Sequence, residues 1–165
     1  MIKIGFIDYY LDEWHANNYP AWMRDIARAQ GWDIDICYAY GQMDKPGGLT
    51  TQAWCEKNGV ESCPTIEDLV EKSDAILVLS PDNSEQHERL GDPALRSGKP
   101  VYMDKTFSPD LASGIRMFDL AERHATPLCS SSALRYAKAL IPNGRSEQVS
   151  AVVTTGPGSL ETYAV

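Results

Sequence analysis

Short apolar runs alternate with amphipathic stretches along nearly the whole chain. Ile2-Lys3-Ile4-Gly5-Phe6-Ile7 reads as a strand, followed by a long loop from Asp8 to Tyr19. The next helix is expected to open at Pro20, whose fixed φ and missing N–H suit a first helical position. Trp22, Ile26 and Ala29 would line its inner face, and Gly31 can take the left-handed cap that closes it. Asp33 to Tyr40 then alternates as a second strand. Gly41 to Gly48 is a polar turn region, after which Thr51 is expected to cap a short helix to Asn58, stopped by Gly59. Val60 to Cys63 is a short third strand. Thr65-Ile66-Glu67-Asp68 has the form of a capping box, opening a helix that turns Leu69 and Val70 inward.

Ala75-Ile76-Leu77-Val78-Leu79 is apolar throughout, as a central parallel strand buried on both faces requires. Ser84 to Ser97 reads as a helix ended by Gly98, and Pro100 to Met103 as another buried strand. Ser108-Pro109 starts a helix reaching about His124, with Leu111, Ile115, Phe118 and Ala121 or Glu122 on its apolar track. Thr126-Pro127 breaks it before a sixth strand at Leu128-Cys129. This alternation predicts an α/β fold with a doubly wound parallel sheet, of the kind that binds dinucleotides. Residues 1–142 are assigned to that domain. Asn143-Gly144, the β-branched run Val149 to Thr155 and Gly156-Pro157-Gly158 read as a linker and the first strand of a second domain, 143–165. The unpaired edge of such a strand favours self-association, so a homo-oligomer is an expected partner state.

Composition narrows the partners. Fifteen Lys and Arg against 23 Asp and Glu give a net charge of -8, which repels nucleic acid and anionic membrane surfaces. No apolar run approaches the roughly 18 residues of a bilayer-spanning helix. The four cysteines, Cys37, Cys55, Cys63 and Cys129, form no C-x-x-C pair and read as reduced thiols of a cytoplasmic protein. No histidine and carboxylate spacing suggests a metal site.

In an open parallel sheet, ligands bind beyond the carboxyl ends of the strands. Three loops are therefore candidates for a small-molecule site: Asp8-Tyr9-Tyr10 after the first strand, Ser80 to His87 after the fourth, and Asp104-Lys105-Thr106 after the fifth. Lysine suits such a place, because an ammonium can hydrogen-bond a ribose hydroxyl or stabilise a developing alkoxide. Spacing alone favours a solvated Lys105 paired with Asp104. His87, one turn into a helix, is by type more often a packing residue than a base, and His15 and His124 have weaker claims.

In these last two loops the chain resembles the glucose-fructose oxidoreductase, inositol dehydrogenase and MocA family of NAD(P)-dependent sugar oxidoreductases. Pro81, Asn83 and His87 are similar to its Thr-Pro-Asn-x-x-His-like stretch, with Asp82 as one additional residue. Asp104-Lys105-Thr106 is similar to its Glu-Lys-Pro, with threonine in place of proline. The resemblance implies a Rossmann-like fold, NAD or NADP as cofactor, and a sugar, polyol or related hydroxyl compound as substrate. It implies a catalytic Lys105, with Ser80, Pro81, Asn83, His87, Asp104, Tyr9 and Tyr10 toward the cofactor.

The first loop departs from that pattern. A G-x-G-x-x-G fingerprint lets the backbone approach a pyrophosphate, yet no glycine lies between Gly5 and Gly31. Asp8, Asp12 and Glu13 would repel the phosphates. The acid expected at the end of the second strand is also missing, unless Asp44 reaches back. Two readings stand at this point. The loop is rebuilt around another ligand, with Tyr9, Tyr10, Trp14 and Tyr19 as stacking faces, or the domain is a non-catalytic binding or regulatory one that keeps only the fold.

Overall fold

The computed structural model describes residues 1–136. The expected linker and second-domain strand after residue 142 lie outside the described residues. Six parallel strands form one sheet in the order β3-β2-β1-β4-β5-β6. They are β1 (Ile2–Asp8), β2 (Ile34–Gly41), β3 (Glu61–Ser62), β4 (Ala75–Val78), β5 (Val101–Met103) and β6 (Leu128–Cys129). The helices are α1 (Trp14–Gln30), α2 (Thr51–Asn58), α3 (Ile66–Lys72), α4 (His87–Leu95) and α5 (Leu111–Arg123). The chain winds outward from β1 in one direction, then returns to start again at β4. The crevice between the carboxyl ends of β1 and β4 is therefore the switch point where such sheets take ligands.

Each sheet face has its own core. Ile4, Phe6, Ile36, Ala39 and Leu79 pack with Leu11, Ala16, Trp54 and Cys55 on the face of α1 and α2. Ile7, Ile76, Val78, Val101 and Met103 pack with Leu69, Leu90, Leu95 and Met117 on the face of α3, α4 and α5. The central β4 supplies side chains to both, as its unbroken apolar run predicts. The pairing of β1 with β2 skips Cys37 between Ile4↔Ile36 and Gly5↔Tyr38. This bulge turns Ala39 into the first core and Tyr38 and Tyr40 toward the second.

Several boundaries differ from expectation. α1 starts at Trp14, six residues before Pro20, because the Glu13 side chain caps it; Pro20 sits inside the helix and is buried. Its buried positions are Ala16, Pro20 and Ala27, while Trp22 and Ile26 are exposed beside a groove of about 420 Å³ that also touches Tyr19, Leu77 and Tyr102. The cap of α2 is Thr50, not Thr51. Ser84–Gln86 forms a 3-10 turn ahead of α4. Asp110 caps α5, and Ser113, Gly114, Met117 and Ala121 face inward in place of Leu111, Ile115 and Phe118. There the small Ser113, Gly114 and Ala121 allow close approach, with Met117 as the one large side chain of α5 that is fully buried. Gly31 and Gly59 take the left-handed caps expected of them, at φ 67° and 66°.

Candidate active site at the switch point

Asp8 ends β1 with its side chain almost wholly buried. Its Oδ1 accepts from the Ser80 amide at 3.0 Å and lies 3.2 Å from the Ser80 hydroxyl, while the Tyr9 amide donates to Ser80 Oγ at 2.8 Å. Ser80 is itself buried, at a φ of 54°, a conformation held here by those three bonds. The ends of β1 and β4 are thus tied across the switch point. Asp8 Oδ2 has no hydrogen-bond partner among the described residues. Burial pushes this carboxyl well above the usual aspartate range, and the charge of Glu13 adds to the shift against the bonds from Ser80 and Tyr9.

The loop that lacks glycines is a packed plug. Leu11 is buried in the α1 core. Asp12 accepts from the Leu49 amide at 2.9 Å and from Asn17 Nδ2 at 2.8 Å, and these bonds hold its carboxyl below the usual range. Lys45 Nζ donates to the Asp12 carbonyl at 2.9 Å and lies over the Tyr10 ring. Glu13, 3% exposed, turns its carboxylate onto the head of α1, accepting from the His15 amide at 2.7 Å and from the Ala16 amide. Burial raises the Glu13 carboxyl, opposed by those two amides and by His15.

These amides have a consequence for a dinucleotide. In the doubly wound fold the pyrophosphate sits on the N-terminal amides of the first crossover helix, where backbone donors and the helix dipole favour an anion. Here an anion is already there, and it belongs to the chain. The head of α1 as folded does not fit a pyrophosphate. The adenosine end differs as well: Asp44 accepts from the Thr51 amide at 2.6 Å and does not reach back to β2. The end of β2 presents Gln42, which accepts from Arg89 at 3.1 Å.

At the other rim, Asp104 is buried with its Oδ2 2.5 Å from His15 Nδ1 and its Oδ1 3.1 Å from the Tyr102 hydroxyl. Tyr102 also reaches the Ser131 carbonyl at 2.7 Å, and His15 stacks on Tyr19 with ring centroids 5.2 Å apart. Burial and the Asp104 charge raise both phenols, Tyr19 to about 12 and Tyr102 further. Lys105, next in the chain and half-buried, makes no hydrogen bond or ion pair among the described residues. The expected pairing of Lys105 with Asp104 is absent because His15 and Tyr102 occupy that carboxylate.

The remaining predicted residues surround this crevice unevenly. Pro81 and Asn83 are half-buried on the turn after β4, with Asn83 Nδ2 donating to Glu85 at 3.3 Å. Tyr9 packs against the α4 core, and the Tyr10 hydroxyl lies 3.4 Å from Asp82; its pKa is pushed up to about 12 by burial and that charge. His87 has no exposed surface. Its Nδ1 lies 3.0 Å from the Phe107 carbonyl and its Nε2 2.6 Å from the Leu79 carbonyl, so the ring spans the loops after β4 and β5. Sequence reasoning missed the Glu13 cap and the His15–Asp104–Tyr102 cluster. Glutamate is not a favoured N-cap residue, and the cluster joins three elements that no linear spacing connects. Among the described residues, no group of His, Cys, Asp or Glu is arranged to hold a metal ion.

Residues 44–132, more than half of the chain, match the family described as Oxidoreductase family, NAD-binding Rossmann fold, the Gfo/Idh/MocA family. The chain belongs to it. The matched stretch takes in the loops carrying Ser80 to His87 and Asp104 to Thr106, and it leaves out the loop from Asp8 to Glu13. Solved structures share the fold at low identity. A probable dehydrogenase from Thermotoga maritima matches with a TM-score of 0.66 and 20% identity, covering 83% of this chain and 38% of that one. The WlbA dehydrogenase from Bordetella pertussis, solved with NADH and UDP-GlcNAcA, matches at 0.66 and 17%, covering 84% and 39%. Biliverdin reductase from Synechocystis, solved with biliverdin and NADP+, matches at 0.64 and 16%, covering 82% and 39%. The chain thus spans about two fifths of the length of these structures. No curated protein sequence matches it. No described helix is long and apolar enough to cross a membrane.

Proposed function

We propose that the chain is the cofactor domain of a cytoplasmic NAD(P)-dependent oxidoreductase acting on a sugar, polyol or related hydroxyl compound, with Lys105 in the active site. The observation that carries this reading is Lys105 at the carboxyl end of β5, unpaired among the described residues and inside the stretch that matches the family. With Asp104 engaged by His15 and Tyr102, the neighbouring carboxylate does not cancel the ammonium. That charge is then available to a substrate hydroxyl, where it would favour the alkoxide form. WlbA, solved with a nucleotide sugar, and biliverdin reductase are relatives in fold that take small molecules, which accords with a small-molecule substrate here. Residues 143–165 would open the second domain that completes the pocket, and a homo-oligomer remains part of the proposal.

The test is titration of the full-length protein with NADH and NADPH, followed by turnover assays across sugars and polyols. Binding with dehydrogenase activity supports the reading, and Lys105→Ala should then lower turnover far more than cofactor affinity. Equal activity of the two proteins removes Lys105 from this role. The Glu13 carboxylate on α1 favours a second reading, a non-catalytic domain. Absence of binding at millimolar dinucleotide would establish it over the first.

A further inference from the structure

We infer that the face of β4, β5 and β6 on the α1 side of the sheet is the docking surface for the chain's own continuation, residues 137–142. Side chains alternate across a strand, and on these strands the two faces differ. Ile76, Val78, Val101 and Met103 are buried in the core shared with α4 and α5. On the opposite face Leu77, Tyr102 and Cys129 are register partners in one row, the first two half-buried and Cys129 exposed. Among the described residues, the helices of this side, α1 and α2, form their core with β1 and β2. The row is left as the floor of the groove of about 420 Å³ beside α1 and of an adjoining hollow of about 300 Å³ under Pro100 and Pro127. A parallel sheet is normally buried on both faces, and the unbroken apolar run of β4 is suited to that, so this row calls for a cover. The chain itself arrives there. Ser130, Ser131 and Tyr136 line the groove after β6, and Tyr136 is the last described residue. The sequence continues as Ala137-Lys138-Ala139-Leu140-Ile141-Pro142. Ala137, Leu140 and Ile141 recur at i, i+3 and i+4, the spacing that gives a helical turn one apolar side, and Pro142 with Asn143-Gly144 ends the stretch. No charged side chain lines the groove, which matches that apolar side. Tethered at Tyr136, the segment meets the groove at an effective concentration of about millimolar, an advantage that a second copy from solution lacks.

Cys129 reports the cover, because it lies in the row and is the one exposed cysteine of the four. Iodoacetamide labelling of the full-length protein, with the modified peptide identified by mass spectrometry, reads its reactivity. Wild-type Cys129 should react roughly tenfold or more slowly than in the double variant Leu140→Asp with Ile141→Asp, whose carboxylates are too costly to desolvate in the groove. The wild-type rate should not change with protein concentration. Equal rates in the two proteins would overturn the inference. Protection that the double variant retains would overturn it too, by assigning the cover to another segment, and protection lost on dilution would assign it to a second copy. Circular dichroism and thermal melts confirm that the variant is folded. Should it fail to fold, Ile141→Ala removes packing without adding charge and should still speed the labelling of Cys129; an unchanged rate would count against the docking. These rates involve no dinucleotide, so their outcome is separate from that of the oxidoreductase reading.

Discussion

Gly5 is the only glycine of β1, and it sits in the middle of the sheet, paired on one side to β2 and on the other to β4. A Cβ added there would lie 2.5 Å from Leu69 Cδ2 and 3.0 Å from Leu69 Cγ, and would also meet Ser73 Oγ. Strand pairing on both sides prevents β1 from backing away, and Leu69 is completely buried on α3. Gly5→Ala must therefore push α3 outward or force Leu69 off its rotamer. Overpacking of this kind costs about 1–3 kcal/mol. For a domain of this size each kcal/mol lowers Tm by about 2–4 °C, so the melt should fall by roughly 2–12 °C. Urea unfolding should show a lower midpoint at unchanged slope. The partner can be identified by a double-mutant cycle. Leu69→Ala alone should cost about 2–5 kcal/mol, and the double variant less than the sum by about 0.5–3 kcal/mol, because the added methyl enters the vacated space. A Gly5→Ala melt within about 1 °C of wild type, or strict additivity, would refute this packing.

Asp8→Asn should change how stability varies with pH. The folded carboxyl titrates above the ordinary 3.8, so between that value and its raised one the folded state holds a proton that the unfolded state has released. Stability then falls as pH rises through this window, and Asp8→Asn should flatten the fall, gaining on wild type more at neutral pH than at about pH 4. Parallel stability curves from urea unfolding would contradict the shift. His87→Leu removes the imidazole that lies between the Leu79 and Phe107 carbonyls; a neutral ring has one N–H to donate, so the loss of that bond should cost about 1–3 kcal/mol, and hydrogen exchange should rise in the loops after β4 and β5. Thr65→Ala removes the bond from the Asp68 amide and should cost about 1 kcal/mol in a thermal melt, with Thr51→Ala nearly neutral because Thr50 is the cap of α2.

The sheet was legible in the sequence because burial on two faces leaves a strong signature. Ala75 to Leu79 is apolar on both sides and became the centre, and Gly31, Gly59 and Thr65 marked their helix ends by chemistry that acts within a few residues. The faces of α1 and α5 were not legible. Small residues take much of the inner face of each, Ala16 and Ala27 in one and Ser113 and Gly114 beside Met117 in the other, while Trp22, Ile26, Leu111, Ile115 and Phe118 are exposed. Counting hydrophobic bulk therefore selected the wrong stripe. The absence of glycines announced that the first loop is unusual, and the three acids near it indicated repulsion of phosphate. Sequence did not reveal that one of those acids caps α1, or that His15 holds Asp104 away from Lys105. Those relations depend on tertiary placement across β1, α1 and β5.

The decisive measurement is a crystal structure of the full-length protein with bound NADH. We predict Lys105 beside the nicotinamide end of the dinucleotide, with the loops carrying Ser80 to His87 and Asp104 to Thr106 lining the cofactor. A dinucleotide whose nicotinamide lies away from Lys105 would contradict the assignment of Lys105 to the active site.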